Sequence, residues 1–237
     1  VLVDHPAFLT TSPWVCGGCS SEWGFSEGSQ PFGIFRPVTL FETASIRVEP
    51  FGVHIWNPAN CDSVYMETEV KNYDHSVRRI QVVSKLAQAN GKTVFRLVRT
   101  IELQPGQTQV VRQQMRMDHP ILWSLKNPYL YKLTSMLKDE HGKTIDLVST
   151  PYGIRSISWP VHRKDQSLSG GSKDPGTFLL NGVPVFINGT CDYEHLFGGS
   201  HAFSHEEIQS RVKMMRQAGF NAFREAHQPH NLLYQQL

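Results

Sequence analysis

Residues 178–237 read FLLNGVPVFINGTCDYEHLFGGSHAFSHEEIQSRVKMMRQAGFNAFREAHQPHNLLYQQL, and the alternation of apolar runs with polar loops in this stretch decides the fold. Residues 178–180 and 183–187 flank Asn181-Gly182, a dipeptide that two-residue hairpin turns select because both central residues need a positive φ. Pro184 followed by Val185-Phe186-Ile187 predicts a short buried strand. A polar loop with Gly198-Gly199 comes next, and Ser204 with Glu207 three residues on predicts a capping box. Ile208, Val212 and Met215 then recur at helical spacing, so one face of the helix is apolar. Gly219 stands where a helix C-terminal glycine belongs. Residues 220–223 predict a second strand, with Arg224-Glu225-Ala226-His227 at its carboxyl end. Pro229 suits the first turn of another helix, with Leu233 and Leu237 on its face.

The pattern is a βα unit and the start of the next. In α/β folds the polar residues just past the strand ends build the site. That selects Cys191-Asp192-Tyr193-Glu194-His195 after the first strand and Arg224, Glu225 and His227 after the second. The hairpin LLNGVPVFINGT, the loop DYEH, the helix ending KMMRQAGFNAFR and the segment EAHQP together resemble the start of the catalytic barrel in glycoside hydrolase family 2, which holds β-galactosidases, β-glucuronidases and β-mannosidases. The resemblance implies a retaining glycosidase. A closed (β/α)₈ barrel takes about 250 residues, far more than this stretch supplies. The expectation is therefore a fragment with an incomplete barrel, inactive alone, whose nucleophile and acid/base glutamates stand beyond Leu237.

Composition is compatible with this and excludes other classes. The 237 residues are 40% hydrophobic and 19% charged, as in an ordinary globular chain. A formal net charge of +2, with no basic cluster interleaved with aromatics, argues against a nucleic-acid partner. No run approaches the roughly 18 apolar residues of a membrane span. Asp4-His5-Pro6 interrupts any secretory leader at the first residues. Localisation is left to the family-level expectation of a secreted or periplasmic enzyme. Cys16 and Cys19 form a CxxC, but Cys61 and Cys191 stand alone, so no second ligand pair completes a zinc site. No cofactor is indicated; a metal ion in the parent enzyme is left open, as is a homo-oligomer.

Taken in order, residues 1–37 are rich in Gly, Ser, Pro and aromatics and cannot form a core of their own. Their exit, Gly33-Ile34-Phe35-Arg36-Pro37-Val38, resembles the close of the family's sugar-binding jelly roll. Residues 38–155 predict an immunoglobulin-like β-sandwich. Candidate strands fall at 38–42, 45–48, 53–56, 63–71, 80–87, 93–101, 107–117, 130–138 and 144–150, with turn signals at Asn90-Gly91, Pro105-Gly106 and His141-Gly142. Val64, Met66, Thr68 and Val70 alternate with Tyr65, Glu67 and Glu69, and Tyr131, Leu133, Ser135 and Leu137 repeat the period. Leu122-Trp123-Ser124 with Asn127-Pro128-Tyr129, and Tyr152-Gly153-Ile154-Arg155, resemble segments of the family's middle sandwich, with Trp123 read as an anchor and not a sugar platform. Residues 156–177 read as a linker. The fold class is mainly β: a sandwich followed by the first βα units of an incomplete barrel at 178–237.

Glycoside hydrolysis by retention needs two carboxyl groups about 5–5.5 Å apart. The resemblance gives the residues present here supporting roles. Arg224 matches the arginine that holds the nucleophile carboxylate ionised and oriented. His227 matches a histidine that contacts sugar hydroxyls. Tyr193 stands where the family often has a sugar-contacting histidine, Cys191 stands at an asparagine, Asp192 lies between them, and Glu194 keeps an acidic place. Asp192 and Glu194, two apart, could also share a pocket as an acid pair. The His201/His205 and His227/His230 spacings suit solvated histidines better than metal ligands. The Asn188-Gly189-Thr190 sequon sits at a strand end where modification is unfavourable. The rival reading is a non-catalytic carbohydrate-binding or structural β-sandwich module.

Overall fold

The computed structural model describes residues 34, 38–159, 178–193, 204–226, 230 and 232–237. The chain divides into two compact units, one of them Phe41–Phe186 and the other including Ile187–Leu237. The CxxC pair, Arg36, Glu194, His201 and His227 lie outside the described residues.

The first unit is a sandwich of seven long strands: β1 (Ile46–Trp56), β2 (Ser63–Asn72), β3 (Arg78–Ala87), β4 (Thr93–Leu103), β5 (Thr108–Arg116), β6 (Tyr131–Lys138) and β7 (Thr144–Tyr152). They form two antiparallel sheets, ordered β1-β2-β5 and β4-β3-β6-β7. The period-two reading holds. Val64, Met66, Thr68 and Val70 are buried along β2, as are Tyr131, Leu133, Ser135 and Leu137 along β6. Two apolar clusters fill the interior. One is built around Ile46, Val70, Val82, Leu103 and Leu137. The other is built around Met66, Leu86, Phe95, Leu133 and Ile154. Between the sheets, the Thr68 and Ser135 hydroxyls meet at 3.5 Å and Ser84 donates to Gln113 at 2.6 Å, so the polar core positions are satisfied.

Three expectations change. Residues 38–42 form no strand and are exposed. The segments 45–48 and 53–56 are one strand, β1, broken in register between Val48 and Val53. Phe51 takes a φ of 59° within the bulge, and the Val48 N–H donates to Asp146 of β7 at 2.7 Å. Residues 157–158, read as linker, form β8 (Ile157–Ser158), which pairs with β9 (Leu179–Leu180). β9 turns through Asn181 and Gly182, at φ 52° and 75°, into β10 (Val183–Pro184), as a type I′ turn requires.

Asn181 also ties this hairpin to the sandwich. Its N–H donates to Ser156 O at 2.8 Å, its Oδ1 accepts from Ser156 N–H at 2.9 Å, and its Nδ2 donates to Trp123 O at 2.9 Å. Trp123 is the expected anchor. Its N–H donates to Ile154 O at 2.8 Å and the Arg155 guanidinium lies 4.7 Å from its ring centroid. A Cβ on Gly153 would sit 2.9 Å from Trp123 Cδ1 and 3.0 Å from its Cβ and Cγ. Because the Trp123 Cβ cannot move without the backbone, Gly153→Ala is expected to destabilise this unit by about 2 kcal/mol. Trp123→Ala, which removes Cγ and Cδ1, should make the added cost of Gly153→Ala smaller than in the wild-type background, measured by denaturant unfolding.

Below Gly153, Tyr152 donates its hydroxyl to Asn57 Oδ1. Asn57 Nδ2 in turn donates to Arg155 O at 2.9 Å and to Cys61 Sγ at 3.4 Å. Burial first, then the Cys61 charge, push the Tyr152 phenol up to about 12, against a smaller opposing pull from Arg155. An unfolded tyrosine titrates near about 10. The stabilisation from keeping Tyr152 protonated is therefore complete below about pH 10 and is lost as pH rises from there through about 12. Tyr152→Phe should flatten the alkaline fall of the melting temperature in that window.

The second unit contains β11 (Gly189–Tyr193), α1 (His205–Gln217), β12 (Ala222–Ala226) and α2 (Leu232–Gln236). β11 and β12 pair in parallel. The capping box at α1 is complete, with Ser204 Oγ accepting from Glu207 N–H at 3.2 Å and Glu207 Oε2 accepting from Ser204 N–H at 2.7 Å. The helix ends in a Schellman arrangement: Gly219 at φ 84° donates to Arg216 O and Phe220 donates to Met215 O, both at 3.1 Å. Ile208 of α1 packs with Leu233 and Tyr234 of α2, and Val212 and Phe223 border this cluster. Leu237, expected on the same apolar face, is exposed.

Candidate active site on the parallel strand pair

The start of the parallel pair is fixed by two asparagines. Asn188 N–H donates to Asn221 Oδ1 at 2.8 Å, Asn221 N–H donates to Asn188 O at 2.8 Å, and Asn188 Nδ2 donates to Gly219 O at 3.2 Å. Immediately after them Gly189 opposes Ala222, and a Cβ on Gly189 would fall 3.0 Å from the Ala222 Cβ and carbonyl oxygen. The close approach at this rung therefore requires glycine. The Asn188 amide, part of the sequon, is engaged in holding the strand.

This clamp moves both strands toward the C-terminus relative to expectation. Val185-Phe186-Ile187 are not a buried strand; Phe186 is 87% and Ile187 51% exposed. The pairing begins only at Gly189 and Ala222 and runs through Tyr193 and Ala226. Cys191, Asp192, Tyr193, Arg224 and Glu225, read as loop residues beyond the strands, thus lie within them, on the last three rungs. A residue inside a paired strand is held more tightly than one on a loop, which suits a positioning role.

Register partners on those rungs are Cys191 with Arg224, Asp192 with Glu225, and Tyr193 with Ala226. Arg224 Nη1 donates to Cys191 Sγ at 3.2 Å. Phe223, the residue before it, turns to the helices and stacks on Tyr234 with ring centroids 5.8 Å apart. Strand alternation then points Arg224 to the opposite face, away from the helices. Asp192 and Tyr193 are placed by their backbone, while Glu194 and His227 lie outside the described residues. His205, at the start of α1, is exposed, and His230 is buried against Phe223 and Tyr234. Among the described residues no group of three or more His, Cys, Asp or Glu is placed to hold a metal ion.

The positioning asparagines were not singled out from the sequence as a pair. Their signal was there: Asn188-Gly189 and Asn221-Ala222 each put an amide followed by a small residue at the start of a strand.

The model described as "Glycosyl hydrolases family 2" matches residues 54–155, and "Glycosyl hydrolases family 2, TIM barrel domain" matches residues 172–237. The β-galactosidase of Pseudoalteromonas haloplanktis is 30% identical over 214 residues, covering 86% of this chain and 19% of that protein. The β-galactosidase BoGH2A of Bacteroides ovatus is 27% identical over 201 residues, covering 83% of this chain and 22% of that protein. The chain therefore spans about a fifth of the length of these curated relatives. Among solved structures, a glycosyl hydrolase family 2 member from Bacteroides cellulosilyticus superposes with a TM-score of 0.69 at 26% identity, over 81% of this chain and 25% of that one. The β-glucuronidase 2 of Bacteroides uniformis shares the fold, with a TM-score of 0.72 at 19% identity, over 82% of this chain and 23% of that one. With its sandwich matched by one model and its βαβ segment by the barrel model of the same family, the chain belongs to glycoside hydrolase family 2.

Proposed function

We propose that this chain is part of a retaining β-glycosidase, of the β-galactosidase type, that hydrolyses O-glycosidic bonds in oligo- or polysaccharides. In this reading residues 1–37 close a sugar-binding jelly roll, 38–155 are the middle sandwich, 156–177 a connector that begins with β8, and 178–237 the first part of the catalytic barrel. The observation that carries it is the parallel register that sets Cys191, Asp192 and Tyr193 beside Arg224, Glu225 and Ala226 at the carboxyl ends of two adjacent strands. Arg224 would hold the nucleophile carboxylate in its ionised form. His227, Tyr193, Asp192 and Glu194 would contact the sugar or its neighbours. The nucleophile and acid/base glutamates belong to other barrel strands, and the one-fifth coverage of the relatives supports a larger enzyme.

A panel of chromogenic β- and α-glycosides tests this, assayed with the 237-residue chain and with a protein extended through a complete barrel. Turnover of a β-galactoside, β-glucuronide or β-mannoside by the extended protein alone is the expected result, and it names the sugar. Absence of turnover by both proteins would leave the binding-module reading in its place.

A further inference from the structure

The outer face of the β1-β2-β5 sheet carries side chains that the sandwich core does not use. Trp56 of β1 pairs with Tyr65 of β2, and Tyr65 pairs with Gln114 of β5. Two residues along, His54, Glu67 and Arg112 form the next row. Both rows fall on the outer face because the intervening Val64 and Met66 are buried. The Trp56 and Tyr65 rings stack with centroids 5.8 Å apart and planes at 15°. Arg112 Nε donates to Glu67 Oε1 at 2.7 Å. Trp56 remains 43% exposed, and neither ring belongs to a core cluster. A concavity of about 560 Å³ runs from these rows past the β5 edge to β4 of the other sheet, lined by Trp56, Tyr65, Glu67, Arg112 and Gln114 on one side and by Leu97, Val98 and Arg99 on the other. That volume lies within the range of ligand sites, about 300–1,000 Å³.

The chemistry of the lining selects the ligand. Aromatic faces offer flat apolar surface to the C–H face of a pyranose ring. The Gln114 amide, the Arg112 guanidinium and the Glu67 carboxylate supply donors and acceptors for hydroxyls. Glu67 and Arg112 offset each other, leaving Arg99 as the uncompensated cation of the lining, too little to favour a polyanion. We propose that this face of the sandwich binds a neutral polysaccharide, with sugar rings stacked against Trp56 and Tyr65. The choice of a glycan rests on the glycosidase reading above.

Native electrophoresis of the 237-residue chain, in gels with and without soluble β-1,4-galactan, xyloglucan or galactomannan, tests the site. Wild type should be retarded by at least one of them. Trp56→Ala should weaken the apparent affinity by about tenfold or more, Trp56→Phe should keep most of it, and neither should shift the melting temperature by more than about 2 °C. Equal mobility in all gels overturns the proposal, as does Trp56→Ala running like wild type or stronger retardation by dextran sulfate. The hydrolysis panel reads independently. Turnover without any gel shift removes this surface alone, whereas a Trp56-dependent shift without turnover removes the glycosidase and keeps the surface.

Discussion

Arg224→Ala, in a protein extended through the complete barrel, is expected to lower kcat by about 10²- to 10³-fold, the range found when one preorganised charge-stabilising donor is deleted. Arg224 sits on an inner rung of β12, opposite Cys191, with its Nη1 on the Cys191 sulfur at 3.2 Å. A neutral thiol is a weak acceptor. A guanidinium pairs best with a charged, planar acceptor, which it can engage through two N–H groups at once. A carboxylate beside it is held ionised at lower pH and fixed in orientation. Without the cation the nucleophile's pKa rises, and the acid limb of the pH–kcat/KM profile moves to higher pH. Arg224→Lys should keep the charge and part of the pH profile but lose the forked geometry, leaving kcat well below wild type. An unmoved acid limb in Arg224→Ala would assign the arginine to strand structure and not to the carboxylate. Cys191→Ser, which leaves an acceptor opposite Arg224, should cost far less than Arg224→Ala.

Much of this arrangement could be read from the residues, and the reasons differ by element. The sandwich strands were legible because one-sided burial writes itself as period two, and β2 and β6 show that period without a break. The α1 termini were legible because the capping box and the glycine after the helix act through local backbone chemistry. The strand limits at the site were not. Val185-Phe186-Ile187 is more apolar than Gly189-Thr190-Cys191, and periodicity favours the wrong one. The decision belongs to Asn188 and Asn221, which join residues 33 apart in sequence, and to the glycine that lets Ala222 approach. Likewise the β1 bulge depends on Asp146, 98 residues away, to satisfy the Val48 N–H. Local pattern carries no trace of such long-range partners.

Asn72→Ala should be among the most damaging polar substitutions in the sandwich, costing about 3 kcal/mol and about 10 °C in melting temperature for a unit of this size. Asn72 ends β2 and is 0% exposed, a position where pattern alone would place an apolar residue. Its Nδ2 lies within hydrogen-bonding reach of Ser76 O at 2.9 Å, Leu103 O at 3.1 Å and Gln104 O at 3.2 Å, and its Oδ1 accepts from Asp74 N–H at 2.9 Å. Its own N–H and carbonyl are taken by Gln107 and Gly106. One side chain thus holds the β2–β3 turn against the β4–β5 turn, linking the two sheets at one end. Truncation leaves buried carbonyls and an N–H without partners, and the desolvation of each is no longer compensated. Asn72→Asp separates volume from hydrogen bonding. It fills the same space and keeps the acceptor for Asp74, but an ionised carboxylate cannot donate and would face buried carbonyl oxygens. Burial and those carbonyls would raise its folded pKa above the unfolded value of about 3.9. The deficit of Asn72→Asp relative to wild type should therefore shrink as pH falls toward and below that value, while that of Asn72→Ala stays constant. Parallel pH dependence in the two variants would show that Asn72 acts by filling space, not by holding the turns.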